Sequence, residues 1–301
     1  LSSTMCVMTT STHGQSVPVP DSLSIFSQPI TLDTFVIRSN FDVQTFVRRA
    51  RADTTFYKAF RSMHLVPYHM RSDIKAYNSD REVIATQRTI GRQEINKRCR
   101  TMVIEDQQTT GDYYRRNGDN NYYTTSLFDY LFITRQPVCN EDDVVAGKMD
   151  MKGKGKLERN KHELKQLIFN PGHRIQGIPL MPDRASIYEE DEARKYDFRI
   201  SLTELDGQMC YRFRITPKKG YEDKVIYKEL TTWFRQRDYA ILARNYALTY
   251  SNILYDFDVA MKVRTTEIGG KIYPVSIEYR GDWHIFTKKR ERVDFDVNIT
   301  Y

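Results

Sequence analysis

Cysteine is scarce in this chain of 301 residues, and the four present, Cys6, Cys99, Cys139 and Cys210, are widely separated. There is no C-x-x-C pair and no histidine within ligand spacing of any of them, so no structural metal site is expected. Catalytic signatures are missing as well: the sequence holds no G-x-S-x-G, H-E-x-x-H, G-x-x-x-x-G-K-[ST] or G-x-G-x-x-G pattern. Neither an enzyme nor a bound cofactor is expected. No run of about 18 apolar residues occurs, which excludes a membrane-spanning helix within these residues. Zinc-finger spacing and RNP motifs are absent, and the net charge of +7 comes from 46 basic residues interleaved with 39 acidic ones. Such a surface is solvated rather than built for nucleic acid. Glycine is sparse beside the aromatics, 14 against 20 Tyr and 15 Phe. That composition favours pleated sheet, on whose half-buried surface aromatic rings fit.

What is present begins with an uncharged, mildly apolar stretch over residues 1–15, which passes into Val17-Pro18-Val19-Pro20. It reads as the remnant of a secretory signal peptide cut near Gly14, or as a loose tail. Residues 16–40 are an extended lead-in, and 41–301 a single domain. Over 41–63, Val43, Phe46, Val47, Ala50, Tyr57 and Phe60 recur at three-and-four spacing among Arg48, Arg49, Arg51 and Lys58, which predicts one amphipathic helix. Extended segments follow at 68–78, 82–90 and 100–109. Residues 112–116 and 121–124 carry matched Tyr-Tyr pairs around Asn117-Gly118-Asp119-Asn120, a hairpin signal, and 127–132 reads as a short capped helix. An insertion at 136–170 holds a Gly- and Lys-rich loop and another amphipathic helix, and a short acidic helix lies near 189–195.

The C-terminal third has the strongest pattern. Phe198, Ile200 and Leu202 alternate with Arg199, Ser201 and Thr203; after an Asp206-Gly207 turn, Met209, Tyr211, Phe213 and Ile215 alternate with Arg212 and Arg214. The same period two recurs through Phe257, Val259, Met261 and Val263, through Tyr273 to Tyr279 after Gly269-Gly270, and through Val293 to Tyr301. Gly281-Asp282 reads as one more turn. Residues 230–251 are apolar on both sides and belong deep in the structure. Asp256, Asp258, Asp294 and Asp296 fall on the wet face beside Lys262, Arg264 and Arg292, where cross-strand ion pairs account for them better than acid catalysis does. The histidines, His13, His64, His69, His162, His173 and His284, read as surface or structural. Cys99 and Cys139 either pair across neighbouring segments or stay as buried thiols.

The expected fold is therefore α+β, mainly β: a curved antiparallel sheet, an unclosed half-barrel, wrapping two or three helices. Its dry face must be covered by helices, by a ligand or by both. The helix at 41–63 ahead of the first strands, the run Cys210-Tyr211-Arg212-Phe213-Arg214-Ile215-Thr216-Pro217-Lys218, the aromatic pair in Leu230-Thr231-Thr232-Trp233-Phe234 and the Arg237-Asp238 turn resemble a known family. It is that of the LolA and LolB lipoprotein carriers and related lipoprotein-sorting proteins of the bacterial envelope, and within it envelope proteins of Bacteroidota. The resemblance implies a periplasmic or outer-membrane-associated protein that holds a lipid or lipoprotein acyl chain on the concave face without catalysis, its basic rim meeting headgroups at a membrane surface. The pocket is then expected at Tyr211, Phe213, Trp233, Met261, Val263 and Tyr279. The alternative is a structural or adaptor subunit of an envelope assembly, with a closed core and a protein partner held by the Tyr-rich segment 113–123. The insertion at 136–170 and the abundance of Tyr and Arg depart from the carriers.

Overall fold

Alternation with period two commits a strand to one wet and one dry face, and five such strands, with two apolar on both sides set among them, build the larger part of the molecule. The structure, a computed structural model, describes residues 30–32, 41–140, 171–173, 185–251, 255–285 and 289–301. The strands are β1 (Ile30–Leu32), β2 (Tyr68–Tyr77), β3 (Val83–Asn96), β4 (Cys99–Gly111), β5 (Val138–Cys139), β6 (Tyr196–Leu205), β7 (Gln208–Pro217), β8 (Tyr227–Arg235), β9 (Ile241–Ser251), β10 (Tyr255–Ile268), β11 (Lys271–Ile285) and β12 (Glu291–Thr300). They form one twelve-stranded sheet in the order β1-β6-β7-β8-β9-β10-β11-β12-β2-β3-β4-β5, antiparallel except that β1 runs parallel to β6. The edges, β1 and β5, do not meet, so the barrel is unclosed. The meander β6 to β12 is sequential, and β12 then pairs with β2, with Phe295 opposite Ile74 and Val297 opposite Ser72. Asp206 and Gly207, both left-handed (φ 50° and 74°), make the tight β6–β7 turn whose twist matches the strands it joins.

Among the described residues three helices lie on the dry face: α1 (Val43–Ala52), α2 (Thr55–Met63) and α3 (Tyr123–Phe132). The single helix expected over 41–63 is two, because Asp53 turns extended (φ −66°, ψ 126°) and its carboxylate accepts from Thr55 N–H at 3.0 Å. Asp-Thr-Thr caps a helix better than it continues one. Helix α1 is started by Asp42, whose Oδ1 accepts from Thr45 N–H at 2.9 Å. It is anchored by Phe46, whose ring meets Tyr211, Phe213 and Phe234 of the sheet. Burying a side chain of that size contributes roughly 1.5–3 kcal/mol. The C-terminal end of α2 is tied to β3 by Gln93 Nε2, which donates to the carbonyls of Met63 and Val66.

The Tyr-rich hairpin expected at 112–124 is a loop instead. Its turn exists, with Gly118 N–H donating to the Arg115 carbonyl at 2.9 Å, but only one bridge forms, Tyr114 with Asn120. Tyr123 already belongs to α3, because both oxygens of Glu291 accept from the first amides of that helix, Tyr123 N–H at 2.6 Å and Thr124 N–H at 3.1 Å. Gly281-Asp282 is not a turn either. Strand β11 runs straight through, pairing Gly281 with Val259 on one side and Val293 on the other. The acidic helix is short, α4 (Glu190–Ala193). The signal-peptide remnant and the helix expected at 157–169 lie outside the described residues, as does the loop from 141 to 156. Among the described residues no helix is long and apolar enough to cross a membrane.

On the wet face three of the four expected carboxylates are ion-paired, though with other partners than Lys262, Arg264 and Arg292: Arg280 with Asp296 at 2.8 Å and Asp294 at 3.5 Å, and Arg290 with Asp256 at 3.0 Å, while Asp258 accepts from Thr249 Oγ1 at 3.4 Å. Cys99 and Cys139 face each other in the β4–β5 register and are disulfide-bonded, and Cys210 is a buried thiol.

Candidate functional site

Five of the six expected pocket residues share the concave face. Tyr211 and Phe213 lie beneath α1, with Phe46 in edge contact with both rings and Phe41 centred 4.5 Å from Tyr211. Val263, Met261 and Tyr279 follow in neighbouring strands, Val263 opposite Ile277 and Met261 opposite Tyr279, and all are buried. Trp233 is on the other side of the sheet. Phe234 opposes Tyr211, so Trp233, one residue earlier, opposes Arg212 on the wet face and is half-buried there. The error has a plain cause: in Leu230-Thr231-Thr232-Trp233-Phe234 both aromatics are apolar, so alternation does not say which one turns inward.

The lap of the sheet is filled largely by the protein itself. Between α3 and strands β10 to β12 the side chains of Leu127, Phe128, Leu131 and Phe132 face Met261, Tyr279 and Phe295, leaving a cavity of about 10 Å³, the room of about one water molecule. Tyr246 Oη donates to Met261 Sδ at 2.8 Å. Tyr279 stacks on Phe295, centroids 4.6 Å apart and planes within 10°, and its hydroxyl accepts from Trp283 Nε1. The ring lies across Gly281, where a Cβ would stand 2.6 Å from Tyr279 Cε1 and Cζ. The lap is not uniformly apolar. On β2, Tyr68 Oη and Ser72 Oγ are buried with no hydrogen-bond partner among the described residues.

One position that the sequence reading passed over stands out. Arg244, 5% exposed, lies in the lap opposite Thr232 and Val263. Its Nε donates to Thr232 Oγ1 at 3.0 Å, and its Cζ sits 4.5 Å above the Phe56 ring of α2. Burial pulls its pKa below the ordinary arginine value, opposed by nearby Tyr188 and Asp53, yet a guanidinium stays charged in such a setting. His173 is beside it, its ring 5.8 Å from that of Tyr188. Burial first, and the positive charge of Arg244 second, push the His173 pKa down to about 4, so this imidazole is neutral at pH 7. Burial also raises Tyr188 to about 12. The signal was legible: an arginine in the middle of a segment apolar on both sides has to be buried.

A second concavity lies at the Tyr-rich loop. It is an open, polar cleft of about 810 Å³ lined by residues that include Tyr114, Tyr122, Tyr123, Arg115, Arg135 and Asp129. Asn120 Nδ2 donates to Asp129 Oδ2 at 2.7 Å, and Arg135 holds Gln107 at 2.6 Å. Burial raises the Asp129 pKa against that hydrogen bond.

No protein-family model matches the chain, and no curated protein does. Among solved structures, a DUF1329 family protein from Desulfovibrio piger ATCC 29098 is similar over 82% of this chain and 92% of its own, at 12% identity and a TM-score of 0.25. A likeness so faint carries no argument about function. The resemblance to lipoprotein carriers therefore stands on the residues quoted for it alone, and the chemistry of the lap and the cleft has to decide between the readings.

Proposed function

We propose that this protein is a non-enzymatic binder of an apolar chain, a lipid or lipoprotein acyl group, in the lap of its half-barrel, with α3 as the element that yields. The observation that carries the reading is the seam between α3 and strands β10 to β12. Apart from Thr124 it is lined by apolar and aromatic side chains, including Met261 and Tyr279. An acyl chain laid along Met261, Tyr279 and Phe295 would keep buried the area that Phe128 and Phe132 now cover, at about 25 cal/mol per Å² on either occupant. Exchange of one for the other is then a balance that a ligand can tip. Location in an oxidising envelope compartment is supported by the Cys99–Cys139 bond.

The test is titration of the full chain with hexadecanol below its solubility limit, followed by tryptophan fluorescence, against a Met261→Trp variant that fills the seam. Saturable binding by the wild type, weakened about tenfold or more in the variant, is expected. A wild type that binds no hexadecanol sinks the reading.

The cleft at Tyr114 and Tyr122 favours a second reading, an adaptor whose core stays closed and whose partner is a protein. Tyr122→Ala together with Arg115→Glu would then abolish partner co-purification in a chain that takes up no hexadecanol.

A further inference from the structure

A buried ion is stable only when paired and hydrogen-bonded, and one left unpaired costs several kcal/mol. Arg244 is such a case. Of its donors, Nε is given to Thr232 Oγ1, and the face of the guanidinium to Phe56. No carboxylate among the described residues forms an ion pair with it. Asp53 acts on it through space without an ion-pair contact, and its carboxylate accepts from the N–H and Oγ1 of Thr55. The other groups around the guanidinium are the phenols of Tyr188, Tyr246 and Tyr227, which act on it electrostatically, and the imidazole of His173 beside Tyr188. All are neutral near pH 7, and each can donate or accept a hydrogen bond.

The position in the sheet matters as much as the chemistry. Arg244 opposes Val263, and Tyr246, two residues further along β9, opposes Met261. Along β9, Arg244 is therefore one inward-facing step, about 7 Å between Cα atoms, from the residue that opposes Met261 of the seam beside α3. A cation near one end of an apolar, aromatic seam, once α3 yields, is the complement of an amphiphile with one anionic head.

We infer that Arg244 is the head-group residue of the lap, and that the ligand is a long-chain carboxylate whose head pairs with the guanidinium while its chain runs along Met261, Tyr279 and Phe295. The inference rests on the lap-binding reading and narrows it from apolar chains in general to anionic ones. A planar guanidinium receives a carboxylate through two parallel hydrogen bonds, which a neutral alcohol of the same length cannot make.

Calorimetric titration of the full chain with hexadecanoate and with hexadecanol, each below its aggregation limit, separates the two ideas. The wild type is expected to bind hexadecanoate about tenfold or more tighter than hexadecanol, the discrimination of one charge-assisted pair. Arg244→Met should bring the two affinities together by weakening hexadecanoate more than hexadecanol. Arg244→Lys, which keeps the charge but not the fork, should restore part of the preference. Hexadecanoate should raise the melting temperature of the wild type but not of Arg244→Met, and in the absence of ligand the Met variant should be the more resistant to urea, having lost a buried charge that makes no ion pair among the described residues. Equal binding of acid and alcohol by the wild type overturns the inference and leaves the lap reading standing, as does an Arg244→Met variant that keeps the preference. Binding of neither ligand by the wild type overturns both.

Discussion

Replacing Gly281 by alanine adds one methyl group to the middle of β11 and should destabilise the protein by about 1–2 kcal/mol, for a reason that can be worked through atom by atom. The backbone is not the obstacle, since Gly281 sits in a regular ladder between Val259 and Val293. The obstacle is the Tyr279 ring, with Cε1 and Cζ 2.6 Å from where the new Cβ would stand. The ring has to swing away, and in doing so it loses its stacking on Phe295 at 4.6 Å and the hydrogen bond from Trp283 Nε1. An aromatic pair contributes about 0.5–1.5 kcal/mol and a hydrogen bond about 1 kcal/mol. Against these stands a gain of about 0.4–1 kcal/mol, because alanine has less freedom than glycine in the unfolded chain. Urea unfolding read by tryptophan fluorescence measures the difference, and a double-mutant cycle with Tyr279→Ala isolates its cause. With the ring gone only the gain of about 0.4–1 kcal/mol remains, so Gly281→Ala should stabilise slightly and the coupling should be about 2 kcal/mol. A neutral Gly281→Ala, or costs that simply add, would refute the reasoning.

Two further outcomes follow from the same structure. The Cys99–Cys139 bond closes a loop with a sequence separation of 40, which the chain-entropy relation values at up to about 4 kcal/mol; denatured, unreduced protein should show no more than two reactive thiols out of four, and reduction should lower the urea midpoint. His173 has its pKa pushed from 6.5 down to about 4 by burial and by Arg244, so below pH 6.5 the unfolded chain takes up a proton that the folded chain refuses. The stability contributed by the neutral imidazole is full above pH 6.5 and drains away as the pH falls towards 4, a loss of up to about 3 kcal/mol. Comparing urea midpoints of wild type and His173→Gln at pH 7 and pH 4.5 checks it, and a wild type that loses no more than the variant would contradict the assignment.

Much of the architecture was legible because its determinants are local. Strands β6, β7, β10, β11 and β12 follow from alternation, the β6–β7 turn from Asp206-Gly207, and the wet-face ion pairs from the register that alternation imposes. Local rules failed where a distant group intervened. Tyr122-Tyr123-Thr124 has strand chemistry, yet Glu291, 168 positions away from Tyr123, caps the amides there and makes a helix start. Gly281-Asp282 has turn chemistry, yet the glycine is required by a tyrosine ring that has to lie flat across it. Trp233 was misplaced because two adjacent aromatics carry no information about face; the pairing of Phe234 with Tyr211 supplies it.

By itself, then, the sequence determined that the chain builds a largely antiparallel sheet with one aromatic dry face and a few amphipathic helices to lay on it, because period two and period 3.6 are properties of neighbouring residues. Only the tertiary structure decided how that face is used. Pairing of β12 with β2 joins the two halves of the sheet, α1, α2 and α3 settle into the lap until about 10 Å³ is left beside Met261 and Tyr279, and Arg244 ends up there with no ion pair among the described residues. Filling and charge pairing depend on groups brought together from far apart in the chain, and no local pattern encodes them.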